Sequence, residues 1–197
     1  GQTMKTIALT GGIGSGKSVV SAILRIMGYR VYDCDSRARF LMDGSQEIKD
    51  SLVREFGRMA VSTDGVIDRG YVAKCVFGDD EALMRLNEIV HPAVRADLLQ
   101  WMGACSAAGC GCAFVETAIL RNSNLRDLID YEWNVNAPEE VRISRVMARN
   151  SLTREAVEAR IKAQASEEAC NGASVIVNDG IEAVLPQLVR LVDGVEK

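Results

Sequence analysis

The chain has 197 residues, the size of one domain, and its 48% hydrophobic and 25% charged residues suit a folded core and exclude a disordered polymer. A formal net charge of −4 excludes a general basic footprint for nucleic acid, so any phosphate-binding surface must be local. No apolar run reaches the roughly 18 residues of a membrane span, and no secretory pattern opens the chain. The expectation is therefore a cytoplasmic protein with no nucleic-acid or membrane partner, a monomer or weak homo-oligomer. Met4, behind Gly1-Gln2-Thr3, is the expected natural start.

The first predicted element is an apolar strand over Thr6–Thr10, and it runs into Gly11-Gly12-Ile13-Gly14-Ser15-Gly16-Lys17-Ser18. That loop matches G-x-x-x-x-G-K-[ST] at every fixed position. The pattern needs glycine because the chain must curl until successive N–H groups point into one concavity, where a Cβ would block both the backbone angles and an approaching phosphate. Lys17 then places a cation at the β- and γ-phosphates and Ser18 a hydroxyl at Mg²⁺. A helix starting near Lys17 and running through Val19 aims its positive end at the same anion. A dinucleotide-binding G-x-G-x-x-G fails on spacing, since Gly12 and Gly14 require a glycine where Lys17 stands. The loop is read as a nucleotide site formed by Gly12, Ile13, Gly14, Ser15, Gly16, Lys17, Ser18 and Val19.

A second strand is predicted at Arg30–Tyr32, and "VYDCDSRAR" places Asp33 and Asp35 at its carboxyl end, the edge where an open parallel sheet binds ligands. A carboxylate there can accept the proton of an attacking hydroxyl, which is the role assigned to Asp33; Asp35 suits a helix cap. The roughly eighty residues from Asp33 to Cys112 exceed one crossover helix and must hold an insertion. Within it, "SQEIKDSLVREFG" and "DEALMRLNEIVHPAVRADLLQWM" carry apolar residues at helical spacing, and "VSTDGVIDRG" reads as a turn-rich connection.

Further strands are predicted at Ala113–Thr117, Glu132–Ala137 and Ser174–Val177. In "CAFVETAIL" and "SVIVND" the apolar residues are near-continuous, as expected of central strands covered on both faces, and the alternation of strands with helical segments predicts an α/β fold around a five-stranded, mainly parallel sheet. Between the last two strands, "RISRVMARNSLTREAVEARIKAQAS" reads as two helices meeting at Asn150-Ser151, with Thr153 as N-cap of the second. Arg142, Arg145 and Arg149 share one face of the first helix. Arg149, and Arg145 with it, are read as cations that neutralise transferred charge. Six cysteines, at positions 34, 75, 105, 110, 112 and 170, form no Cys-x-x-Cys unit and have no histidine beside them; they are read as small apolar thiols in a reducing compartment.

With these pieces in order, the chain resembles the dephospho-coenzyme A kinase family from Lys5 to about Val189. "LTGGIGSGKS" and "VYDCDSRAR" carry the resemblance first, the latter similar to V-x-D-A-D-x-x-A-R with Asp33 and Arg39 in register. "LNEIVHPAVR" holds the LN…HP pair at Leu86-Asn87 and His91-Pro92. "RVMARNSLTREAVEARIKAQ" is similar to the lid pattern, and "IVNDG" to I-x-N-x-G. The resemblance implies a P-loop NTPase-like core (4–35, 108–143 and 172–197), a helical acceptor-binding insertion (36–107) and a helical lid (144–171). It implies ATP-dependent, Mg²⁺-assisted phosphorylation of the ribose 3′-hydroxyl of dephospho-coenzyme A, the last step of coenzyme A synthesis.

By the same resemblance Asp33 is the base, Lys17 and Ser18 serve phosphates and Mg²⁺, Arg149 closes from the lid and Asn178 lies near the adenine. Arg39, His91 and Glu116 serve the acceptor side, with Glu116 also placed to orient Mg²⁺-bound water. The family's [DE]-x-P-L-L-x-E after the third strand is replaced by "ETAILRN", which keeps Glu116 but has Ala118 and Asn122 at the proline and second acid. Two rivals stand beside this reading: a kinase of the same scaffold with another small acceptor, and a GTP-binding switch. The switch requires an [NT]-K-x-D motif, which none of Lys5, Lys17, Lys49, Lys74, Lys162 and Lys197 supplies.

Overall fold

The structure, a computed structural model, describes residues 3–121, 123–164 and 172–196. The chain divides into two compact units, one formed by residues 1–33 and 102–197 and the other by Cys34–Trp101.

The first unit is built on five strands: β1 (Lys5–Thr10), β2 (Val31–Asp33), β3 (Cys112–Glu116), β4 (Tyr131–Asn136) and β5 (Ser174–Val177). They lie in the order β2-β3-β1-β4-β5, and every pairing is parallel. β1 is central, and its residues from Thr6 to Thr10 are all buried, as covering on both faces requires. Ile7 and Leu9 point to one face, where Phe114, Trp133, Val135 and Ile176 of neighbouring strands join them. Two helices cover that face. α1 (Lys17–Ile26) contributes Val20 and Leu24, and α8 (Val184–Glu196) contributes Leu188 and Val192, each pair one helical turn apart. Phe114 and Trp133 pack with ring centroids 5.1 Å apart, and Tyr29 meets Phe114 edge-on.

α6 (Glu139–Asn150) and α7 (Arg154–Ala163) form a helical pair on the same unit. Thr153 Oγ1 accepts the N–H of Ala156 at 3.3 Å and so caps α7 as its residue type predicts. Ser151, between the two helices, has φ 51°, a left-handed conformation uncommon outside glycine. Ile143 and Val146 of α6 bury against Val157 of α7, with Ile13 of the glycine loop packed on the same cluster.

The second unit is helical: α2 (Cys34–Gly44), α3 (Gln46–Phe56), α4 (Arg69–Val76) and α5 (Asp80–Ala107), whose end beyond Trp101 counts with the first unit. Ser45 Oγ accepts the N–H of Ile48 to start α3, and Asp68 Oδ1 accepts that of Tyr71 to start α4. Ile48 and Leu52, one turn apart, meet Ala60, Ile67 and Val72 in the unit's own core. A tight turn at Asp64-Gly65 brings Val61 and Ile67 into an antiparallel bridge. Arg37 forks onto Asp97 through two hydrogen bonds of 2.8 and 2.6 Å.

Two local expectations change. α2 and α4 add to the two helices the periodicity names: α4 has only eight residues, and α2 alternates charge with apolar residues too closely for a stripe to stand out. Asp35 does not cap α2, because the helix begins at Cys34. Asp35 therefore lies inside the first turn, and Asp33 is the residue that flanks the helix start.

Candidate active site

The glycine loop connects β1 to α1, and three of its glycines take angles that a side chain resists: Gly11 at φ 147°, Gly14 at 78° and Gly16 at 93°. The carbonyls of Ile13, Gly14 and Ser15 are held by side chains from outside the loop. Arg142 Nε donates to Ile13 O at 3.0 Å, Arg145 Nη1 to Gly14 O at 3.2 Å, and Asn178 Nδ2 to Ser15 O at 3.0 Å. Lys17 Nζ donates to Gly11 O at 2.5 Å. Three loop N–H groups are left without such a bond. Those of Gly14, Gly16 and Ser18 donate to no described residue, while that of Val19 is already engaged at Gly16 O. A row of such groups at the head of a helix is an anion nest.

The arginine stripe is therefore divided. Arg145 reaches both Gly14 O and Asn178 O, the latter at 2.8 Å, and so joins the loop to the end of β5. Arg142, not selected from the sequence as a site residue, lies directly over Gly12, where a Cβ would clash with its Nη2. Burial lowers the basicity of its guanidinium, with Glu139 partly opposing. Arg149, in the last turn of α6, is exposed and donates to its neighbour Asn150 at 2.9 Å. Gln164, at the end of α7, accepts the N–H of Ile13 at 2.8 Å, a second contact that spacing did not reveal.

The carboxyl edge of the sheet brings acids beside the loop. Asp33 ends β2 and Glu116 ends β3, and the two are partners in the strand register. Glu116 Oε2 accepts from Ser21 Oγ at 2.6 Å. Ser21 went unnoticed in the sequence, although it lies three residues after Ser18 on one helix face. Ser18 and Glu116 thus supply hard oxygen donors on adjoining elements. Among the described residues no group of three or more candidate ligands forms a metal cage. On the neighbouring strand Glu132, buried, accepts from Thr10 Oγ1 at 2.7 Å, and Asn134 Nδ2 donates to the same hydroxyl at 3.1 Å, pinning the residue before the loop.

Two other sequence-selected residues belong to the second unit. Arg39 is exposed on α2, and its carbonyl accepts from Arg69 Nη2 at 3.4 Å. His91, half-buried on α5 before Pro92, has its pKa lowered by desolvation. Asn122 and Cys170, and positions 165–171 of the expected lid, lie outside the described residues.

Gly16, before the first residue of α1, and Gly28, just past its end, give a test of the loop's construction. In Gly16→Ala a Cβ would sit 2.0 Å from Asn178 Nδ2 at an angle alanine resists, whereas at Gly28, φ 97°, it would meet nothing within 4 Å. Gly28→Ala is expected to cost about 1–2 kcal/mol of stability from backbone strain alone. Gly16→Ala should cost more and also weaken nucleotide binding. Thermal denaturation with nucleotide titration of both variants checks this.

The family model for CoaE, dephospho-CoA kinase, matches residues 5–183. A curated dephospho-CoA kinase of Porphyromonas gingivalis is 37% identical over 195 residues, covering 98% of this chain and 95% of the relative. One from Burkholderia lata is 39% identical over 178 residues, covering 89% and 87%. A solved Thermus thermophilus structure shares 35% identity with a TM-score of 0.79, covering 98% of this chain and 96% of that one. The Campylobacter jejuni dephospho-CoA kinase has the same fold at 23% identity and TM-score 0.68, covering 98% of each chain. The match spans the glycine loop, the carboxylate edge and the arginine-bearing helix together, and the chain belongs to the dephospho-CoA kinase family of phosphotransferases.

Proposed function

We propose that this chain transfers the γ-phosphoryl group of ATP to the ribose 3′-hydroxyl of dephospho-coenzyme A, giving coenzyme A, with Asp33 as the general base. The observation that carries the reading is the loop whose Ile13, Gly14 and Ser15 carbonyls are held by Arg142, Arg145 and Asn178, at the same sheet edge as Asp33 and Glu116. In this mechanism the loop N–H groups hold the β- and γ-phosphates, and Lys17 leaves Gly11 O for them. The acceptor oxygen attacks phosphorus as the bond to the ADP oxygen breaks, and its proton passes to an Asp33 carboxylate oxygen. Ser18 would hold Mg²⁺ and Glu116 would orient its water, and the ion would supply charge neutralisation at the phosphates.

Residues 144–171 act as a lid. Arg149, turned to Asn150, approaches the phosphates on closure, while Arg142, ahead of the lid, keeps its bond to Ile13 O and Arg145, at the lid's first turn, borders the nucleotide. The insertion, residues 36–107, binds the acceptor and contributes Arg39 and His91. Asn178, tied to Ser15 O, borders the adenine. Among the described residues no helix is long and apolar enough to cross a membrane, in keeping with a cytoplasmic enzyme of small-molecule substrates.

A coupled assay of phosphoryl transfer to dephospho-coenzyme A beside adenosine monophosphate tests the assignment. A preference for dephospho-coenzyme A of at least tenfold in kcat/KM is expected; a preference for adenosine monophosphate overturns it.

A further inference from the structure

At the end of α5, Gly109 has φ 77°, its N–H donates to Ser106 O at 3.0 Å, and the N–H of Cys110 donates to Cys105 O at 3.1 Å. These are the two hydrogen bonds of a Schellman C-cap, a motif that brings the side chains of its first and sixth residues into contact. α1 ends in the same way. Gly28, at φ 97°, donates to Arg25 O and Tyr29 to Leu24 O, and there the meeting side chains, Leu24 and Tyr29, are apolar and join the sheet core. In α5 both positions are cysteine.

We propose that Cys105 and Cys110 are a redox-modifiable dithiol, oxidised to an intramolecular disulfide by a low-molecular-weight disulfide. The pair is asymmetric in a way that orders the chemistry. Cys110 is partly exposed and takes the first step; Cys105 is buried and resolves it. The Cys110 thiolate attacks one sulfur of the small disulfide, forming a mixed disulfide and releasing one thiolate. Cys105 then loses its proton to solvent and attacks the Cys110 sulfur, forming the protein disulfide and releasing the second thiolate. Two protein thiols lose two electrons, and one small disulfide becomes two thiols.

The surroundings favour this pair over the third nearby cysteine. Burial pushes the Cys105 thiol up, but the Arg30 guanidinium beside it pulls in the opposite direction. Cys112 turns into the apolar core, where burial and Glu196 push its thiol up to about 11 and keep it protonated. The site lies at the amino edge of the sheet, where Lys5 N–H donates to Gly111 O at 2.9 Å, and the glycine loop leaves the opposite edge. Oxidation is therefore expected to leave phosphoryl transfer within twofold of the reduced enzyme.

The folded full chain, incubated with excess glutathione disulfide and mapped by peptide mass spectrometry without reduction, tests the proposal. A Cys105–Cys110 linkage is expected as the principal product, reversed by dithiothreitol. Cys105→Ser should instead accumulate the glutathione adduct at Cys110. Should Cys105→Ser fail to fold, Cys110→Ser, altered at the partly exposed position, should leave Cys105 unmodified. Free thiols at both positions in the oxidised wild type, or either cysteine paired elsewhere, would overturn the proposal.

Discussion

Lys17→Ala is expected to lower turnover by about a hundredfold or more, the usual loss on removing one preorganised stabiliser of transition-state charge. In this structure its ammonium donates to Gly11 O, a contact within its own loop. Removing a charge-assisted hydrogen bond of that kind costs about 1.5–3 kcal/mol, less than the stability of a typical domain. The angles of Gly11, Gly14 and Gly16 and the bonds from Arg142, Arg145 and Asn178 keep the loop's shape without it. The loss should therefore fall on catalysis in a chain that still folds. Near-normal turnover in a folded Lys17→Ala protein would show that the loop does not act on transferring phosphate. Single-turnover kinetics, together with thermal denaturation, supplies both readings.

Asp33→Asn should lower turnover by about 10²–10⁴-fold, the range associated with general acid–base groups, while ATP affinity stays within a few-fold. The substitution is informative because of where α2 begins. Asp33 flanks the helix start at Cys34, and asparagine serves that position as well as aspartate does, so a purely structural Asp33 would lose little on replacement. What asparagine lacks is a carboxylate to take the acceptor proton. Phosphoryl transfer through a loose transition state asks little base strength of the enzyme, so part of the loss reflects orientation of the hydroxyl. ATP titration, turnover and melting temperature of the variant decide the matter. A stable, ATP-binding Asp33→Asn enzyme with unimpaired turnover would remove Asp33 from the chemistry.

The amino-acid sequence by itself determined what depends on neighbours along the chain. The continuous apolar runs of β1 and β3, the loop's glycines at fixed spacing and Thr153 at the start of α7 meet local demands of burial on both faces, backbone angles and capping. "SVIVND", read in the same way as a central strand, instead forms the edge strand β5, where Val175 is exposed, because strand order is not a local property. The Schellman end of α5 is equally local, since Gly109 supplies the left-handed angle that places Cys110 against Cys105.

Only the tertiary structure decided the order β2-β3-β1-β4-β5, which makes Asp33 and Glu116 partners from segments more than eighty residues apart in the chain. It also decided the division of labour among three arginines that helical spacing treats alike. Ile143 and Val146 pack α6 against α7 and onto Ile13, and that contact sets the rotation of the helix. Arg142 and Arg145 consequently meet the loop carbonyls, and Arg149, beyond the last buried residue of α6, remains in solvent. Periodicity can say which side chains share a face; what that face meets is set by the packing of residues distant in sequence.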